Sequence, residues 1–373
     1  MHEHWTADGM WITTGNFTPG GLRLSDAGYR AAGIGLSLIA SFGIFNNLVV
    51  IVVLLLHRQL LTPVNILILN LTISDFLIAT LGTPFTAASA FQHHWLFGRS
   101  GCVAYAFATG FSGIASIGSL AVISWERYWL VAHAGSSPIT TRETILITCG
   151  VWTYALLGVL PPVVGWSRFE IETPNIACGP HWESEALPDL SYIVYLTVFA
   201  LVLPLSVISW SYIQIVLFLR KNSQSISAQS VSKTQANITR MVIVMVMAFL
   251  LAWMPYAIVS AVVLFGGSHL ITAPIATLPA IFAKSSIIYN PIIYAIMNPQ
   301  FRIAFKNVFC RKSYAVLCKH GAPIKRSKEK FPRRQLPTDG APSRTRVVYS
   351  FSSIVTKIRD RSSTSGGVTE SQF

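Results

Sequence analysis

The chain has 373 residues, of which 52% are hydrophobic and only 12% charged, with a net charge of +13 and a mean hydropathy of +0.53. This is too apolar for a water-soluble protein of such length, and five cysteines are too few for a disulfide-rich scaffold. What remains is one polytopic membrane domain with a polar tail, and the charge agrees: 16 Lys or Arg and 4 Asp or Glu fall from Arg302 onward, leaving 12 basic and 11 acidic residues before it.

Residues 1–30 are polar and Gly-rich, without the basic start and short apolar run of a cleavable signal. Asn16-Phe17-Thr18 in this segment is a glycosylation acceptor, although Pro19 follows it. Seven apolar stretches come next, at 31–56, 66–90, 103–127, 144–165, 191–219, 240–265 and 272–296. Each has about the 20 residues that a helix needs to cross a hydrocarbon core of about 30 Å. The expected fold is therefore an all-α membrane protein, a seven-transmembrane helix bundle over 31–298. Basic residues after the last span mark the cytoplasmic side, so an odd number of spans places the N-terminus outside, as in a multi-pass plasma-membrane protein.

Most connections are short. The 166–190 loop is long and carries Glu170, Glu172, Cys178, Glu183 and Glu185, whereas 221–238 is rich in Ser, Gln, Asn and Lys and reads as a flexible cytoplasmic segment. Cys102 and Cys178 both fall at extracellular edges, where an oxidising exterior favours a bridge; two free thiols are the alternative. A bridge would draw the long loop back over the mouth of the bundle. After the last span, residues 299–311 set Phe301, Phe305 and Val308 against Arg302, Lys306 and Arg311, a pattern for a short interfacial helix that palmitoylation of Cys310 could pin to the lipid. Residues 312–373 are basic, then rich in Ser and Thr, and are expected to be a disordered cytoplasmic tail.

Within the spans a few polar residues stand out. Lys284 is the only Lys or Arg between Ile271 and Met297. A charge at that depth costs about 2.5–3.5 kcal/mol, so such a lysine needs a partner or a chemical task. An amine condenses with an aldehyde to a Schiff base, which could hold a long apolar chromophore inside the bundle. The bland alternative pairs Lys284 with Asp75 or places it in a water-filled cavity. Span one carries Asn47, span two Asp75, span three ends in Glu126-Arg127-Tyr128, and span four has Trp152. Span five has Pro204 and Tyr212, span six Trp253-Met254-Pro255-Tyr256, and span seven Asn290-Pro291-Ile292-Ile293-Tyr294. Prolines permit kinks, and buried polar groups can exchange partners when kinks shift, which suits a two-state bundle. Asn47, Asp75 and Asn290 are expected to form a shared network.

This order, one mark per span, resembles the rhodopsin-like family of G-protein-coupled receptors over residues 31 to 306. A lysine six residues before the Asn of Asn-Pro-x-x-Tyr further resembles the opsins, as do Trp166-Ser167-Arg168 and Gln300-Phe301-Arg302. Non-visual members of the encephalopsin and teleost multiple-tissue group are the most similar in loop lengths and in Tyr105. The resemblance implies retinal at Lys284, 11-cis in the dark and all-trans after light, in a pocket lined by Trp253, Gly113, Thr109 and Tyr105. Vertebrate visual pigments carry a counterion Glu where this chain has Tyr105. Glu172, six residues before Cys178, matches the position that other opsins use, with Glu170 on the same face if the segment is a strand. A loop counterion implies by resemblance a bistable pigment that keeps its chromophore after light.

On the cytoplasmic side the resemblance implies a heterotrimeric G protein, of inhibitory (Gi/Go) class, and a switch made of Glu126, Arg127, Tyr128, Tyr212, Asn290, Pro291, Tyr294 and Asp75. Lys233-Thr234-Gln235-Ala236-Asn237 lacks the acid that visual pigments use to lock Arg127, which implies a weaker inactive state. Ser350, Ser352, Ser353, Thr356, Ser362, Ser363, Thr364 and Ser365 are candidate sites for a receptor kinase and arrestin.

Two other readings compete. A ligand-gated receptor would use Lys284 as a polar contact, but Thr109 stands where amine receptors carry Asp. A light-driven pump would need acids flanking the Schiff base, and only Asp75 lies at that depth. No metal-ligand cluster, catalytic triad, phosphate loop or nucleic-acid patch is recognisable, so no enzyme is expected.

Overall fold

The computed structural model describes residues 4–5, 11–12, 23–132, 139–182, 184, 186–221, 233–267 and 270–318. Asn16, Glu183, Glu185 and the Ser/Thr-rich tail lie outside them. Two short strands, β1 (His4–Trp5) and β2 (Trp11–Ile12), pair antiparallel near the start.

Span one is Asp26–Leu56, begun by Ser25, whose side chain accepts from the Gly28 amide at 3.1 Å. Span two is Pro63–Leu81 continued by Thr83–Gln92, and span three is Gly98–Ala132. Span four is Thr141–Val159. Span five runs Leu187–Thr197, through a π-helical turn at Val198–Val202, into Leu203–Lys221. Span six is Lys233–Leu264 and span seven Ala273–Met297. Several of these helices outrun the predicted stretches, because hydropathy senses only the part in lipid while the helix continues into the interface.

The break in span two was not predicted. Pro84 has no amide hydrogen and cannot continue the ladder, and beside the break the Ile78 carbonyl accepts both from the Gly82 amide at 3.1 Å and from the Thr83 hydroxyl at 3.2 Å. Six of the spans are long and apolar enough to cross a membrane by composition alone. The fourth opens on the polar turn Thr141-Arg142-Glu143-Thr144, tied by a capping box in which the Thr140 amide donates to Glu143 at 2.7 Å.

Span three is the axis, packing against spans two, four, five and six. One apolar core fills the half of the bundle remote from the Cys102–Cys178 bridge, around Leu71, Leu120, Ile123, Met241 and Met245. A second surrounds Tyr105, Cys102, Cys178 and Trp95 in the other half. Outward faces carry Phe45, Leu146, Ile213 and Leu251, each more than half exposed, as lipid contact requires.

The predicted bridge is present: Cys102 and Cys178 form a disulfide with Cα atoms 5.4 Å apart. It anchors a hairpin of β3 (Phe169–Glu172) and β4 (Ala177–Pro180), paired antiparallel with Glu172 opposite Ala177 and Glu170 opposite Gly179. The Tyr29 hydroxyl donates to the Pro174 carbonyl at 2.9 Å, fastening the hairpin tip to span one. After span seven, Asn298 accepts from the Phe301 amide at 3.1 Å and starts a further helix, Pro299–Cys318. This helix runs past the predicted end at Arg311, since no Pro or Gly interrupts the sequence before Gly321. The Cys310 side chain lies outside the described residues.

Candidate functional site

Lys284 sits halfway along span seven, next to buried Ala283 and two residues before buried Ser286. Its ammonium lies 5.7 Å from the centre of the Tyr105 ring. Its electrostatic partners are Tyr105 and the Glu172 carboxylate. Tyr105 comes from the start of span three beside the disulfide and shares a 2.7 Å hydrogen bond with Thr86 of span two. Asp75, the alternative partner for Lys284, is taken elsewhere: it accepts from Ser116 at 2.9 Å and from Asn290 at 2.8 Å.

The hairpin separates the two acids that sequence left open. Both project from β3 on one face, because residues two apart in a strand do. Glu170 meets Arg168 at 2.9 Å and Arg99 at 3.6 Å, at the solvent edge. Glu172 turns inward, where it accepts from the Trp182 indole at 2.9 Å and lies within electrostatic reach of Tyr256 and Lys284.

Aromatic rings border the rest of this region. Trp253 stacks on Phe249 at 5.6 Å, meets Tyr256 edge-on at 6.0 Å, and donates to Ser286 at 3.2 Å. Trp182 meets Tyr256 edge-on at 6.4 Å. A side chain placed at Gly113 would meet no atom within 4 Å, so open space adjoins span three there. Thr109 turns otherwise, donating to the Tyr105 carbonyl at 2.8 Å and packing its methyl on Gly82. Sequence marks none of Thr86, Trp182 and Ser286, and Tyr256 only as the last residue of the span-six motif. Tyr256 was within reach, since it stands three residues from Trp253 and so shares its helix face; Thr86 and Trp182 depend on contacts between elements.

Toward the other end of span three Glu126 and Arg127 are both buried and form a two-pronged ion pair, with Arg127 Nε donating to Glu126 at 2.5 Å. Tyr128 packs edge-on against Trp210 of span five at 4.8 Å. Tyr212 is near Arg127 and Ser124, its buried hydroxyl without a hydrogen-bond partner among the described residues. Tyr294 donates to Asn65 at 3.0 Å. Asn47 joins span seven through the Ile287 carbonyl at 2.9 Å rather than through Asp75, so the polar groups form two adjacent links instead of one cluster. Trp152 donates to Asn70 at 2.7 Å, and Asn70 in turn to Ser119 at 2.8 Å, linking spans four, two and three.

An amine beside a phenol and in electrostatic reach of a carboxylate, with aromatic rings and open space adjoining, fits a long apolar aldehyde. Comparisons with known proteins point the same way. Residues 46–294 match the model of the 7 transmembrane receptor (rhodopsin family). The chain is 37% identical over 297 residues to "Rhodopsin, G0-coupled" of Mizuhopecten yessoensis, covering 77% of this chain and 74% of that one. It is 34% identical over 290 residues to parapinopsin of Ictalurus punctatus, covering 77% and 84%. The crystal structure of squid rhodopsin superposes with a TM-score of 0.73 at 28% identity, over 81% of this chain and 93% of that one. The chain therefore belongs to the rhodopsin family of seven-transmembrane receptors and, within it, to the opsins, its light-sensing G-protein-coupled members.

Proposed function

We propose that this opsin binds retinal covalently at Lys284 and activates a heterotrimeric G protein on illumination. The observation that carries the reading is the lone span-seven lysine, its ammonium 5.7 Å from the centre of the Tyr105 ring and in electrostatic reach of the Glu172 carboxylate that the Trp182 indole holds at 2.9 Å. Retinal, joined as a Schiff base, supplies the absorption of light and a change of shape from 11-cis to all-trans. The chain's residues do the remaining work. Lys284 provides the amine, and Glu172 provides the negative charge that keeps its nitrogen protonated in a poorly solvated site. Tyr105, held by Thr86, offers a ring face and a hydroxyl beside that nitrogen. Trp253, Tyr256 and the open space at Gly113 accommodate the apolar body.

Pressure on Trp253 reaches span six, whose Pro255 leaves a weak point in the backbone. Outward movement of span six exposes Arg127, which leaves Glu126 while Tyr212 and Tyr294 offer hydroxyls to the open form. The inhibitory (Gi/Go) class is supported by the printed name of a relative, "Rhodopsin, G0-coupled". A loop carboxylate in place of an acid at Tyr105 supports a bistable pigment of the non-visual, encephalopsin-like type. The remaining assignments follow the family pattern: plasma membrane, extracellular N-terminus glycosylated at Asn16, palmitoylation at Cys310, and a cytoplasmic tail read by kinase and arrestin.

Expression with 11-cis-retinal tests this directly. Wild type is expected to give a visible absorption band and a light-evoked fall in cAMP, with both lost in Lys284→Ala. Glu172→Gln should move the band toward the ultraviolet at neutral pH; an unchanged spectrum would transfer the role to Glu170 or Asp75.

A further inference from the structure

Gly179 lies buried in β4, one residue after the disulfide Cys178, and its backbone is not in the left-handed region that favours glycine. Conformation therefore does not require a glycine here; space does. A Cβ at this position would fall 2.6 Å from the Glu172 carboxyl carbon and 3.3 Å from its Oε2, with Oε1 closer still. Register explains the crowding. Glu172 faces Ala177 directly, so Gly179 is its diagonal neighbour on the same face of the hairpin. The Glu172 side chain crosses the strand at the one residue without a side chain, and from there its Oε1 accepts from the Trp182 indole at 2.9 Å.

We propose that Gly179 and Trp182 are positioning residues that aim the Glu172 carboxylate at Lys284: Gly179 by leaving room on β4, Trp182 by holding one oxygen. The proposal rests on the retinal reading given above. It also accounts for the different fates of two acids on one strand face. Glu170, directly opposite Gly179, is drawn outward by Arg168 and Arg99, whereas Glu172 has a path inward across the glycine. A methyl group at 179 collides with the end of a flexible side chain rather than with backbone, so Gly179→Ala should fold and form its disulfide while the carboxylate swings away.

The test uses the full chain in two states. In the apoprotein labelled at tryptophan indole nitrogens, the Trp182 signal, assigned by its loss in Trp182→Phe, is expected to shift in the same direction in Gly179→Ala and Glu172→Gln. With 11-cis-retinal bound, Gly179→Ala is expected to reproduce part of the Glu172→Gln loss of visible absorbance at neutral pH, and Trp182→Phe a smaller part. Borohydride trapping of the adduct at Lys284 in each variant separates failed retinal binding from a displaced carboxylate. If Glu172→Gln changes the spectrum while Gly179→Ala and Trp182→Phe leave both spectrum and indole signal untouched, the positioning role is overturned and the counterion reading survives. An unchanged spectrum in Glu172→Gln, or no adduct in wild type, would overturn both together.

Discussion

The two ends of the bundle keep a buried charge in opposite ways. At the end remote from the disulfide Glu126 and Arg127 are neighbours in sequence on one helix, only 5% and 2% exposed, and satisfy one another. In the half of the bundle near the disulfide, Lys284 of span seven lies in the electrostatic reach of an acid delivered by a loop hairpin, which the disulfide and Tyr29 fasten over the bundle. The first arrangement is local and needs little else to be folded. The second exists only once spans one, three and seven and the hairpin are all in place, so it is open to adjustment from several directions. On the proposed function, the pair that opens on activation is thus built from adjacent residues, and the charge whose environment would set the chromophore's properties from distant ones.

This contrast can be broken from either end. The largest effect is expected from Glu126→Ala, which leaves Arg127 buried without its acid at a cost of about 3–5 kcal/mol to the inactive state. Elevated G-protein activation in the dark and a lowered melting temperature are the readouts; wild-type values for both would show that the pair does not hold the resting form. Next comes Cys178→Ser, expected to lose roughly 2–5 kcal/mol and to scatter the hairpin. Pigment yield should collapse, and Cys102→Ser should behave alike, with the double variant no worse than either single one. Asp75→Ala strands the donors of Ser116 and Asn290, each unmade bond costing about 1–3 kcal/mol; thermal unfolding should register the loss while the absorption band stays in place, because Asp75 is not the partner of Lys284. The smallest change is Trp152→Phe, which keeps an aromatic ring against Phe111 and removes the hydrogen bond to Asn70, worth about 1 kcal/mol. A loss several times larger would mean that Trp152 fixes span four through packing as well.

Much of this was legible in sequence where the signal is local. Runs of apolar residues located the spans, and the adjacency of Glu126 and Arg127, the placement of Cys102 and Cys178 and the depth of Lys284 needed no structure. The break in span two was overlooked because hydropathy is continuous across Gly82-Thr83-Pro84, although Pro84 carried the warning. Span four was recognised from its apolar middle, yet its start at Thr141 is polar and is set by a cap that hydropathy does not see. Asn47 was expected to share a cluster with Asp75, whereas its amide reaches a backbone carbonyl of span seven, a choice fixed by helix rotation. Spacing from Cys178 favours Glu172 over Glu170, but both lie on one strand face, and sequence does not show what each meets: arginines at the rim for Glu170, a glycine gap and an indole for Glu172.

The central claim is that the Lys284 amine carries the chromophore. Purified wild-type apoprotein incubated with 11-cis-retinal, reduced with borohydride and digested, is expected to yield a single retinyl-modified peptide containing Lys284, absent from Lys284→Ala. Modification at another lysine, or no reducible adduct at all, would contradict the account.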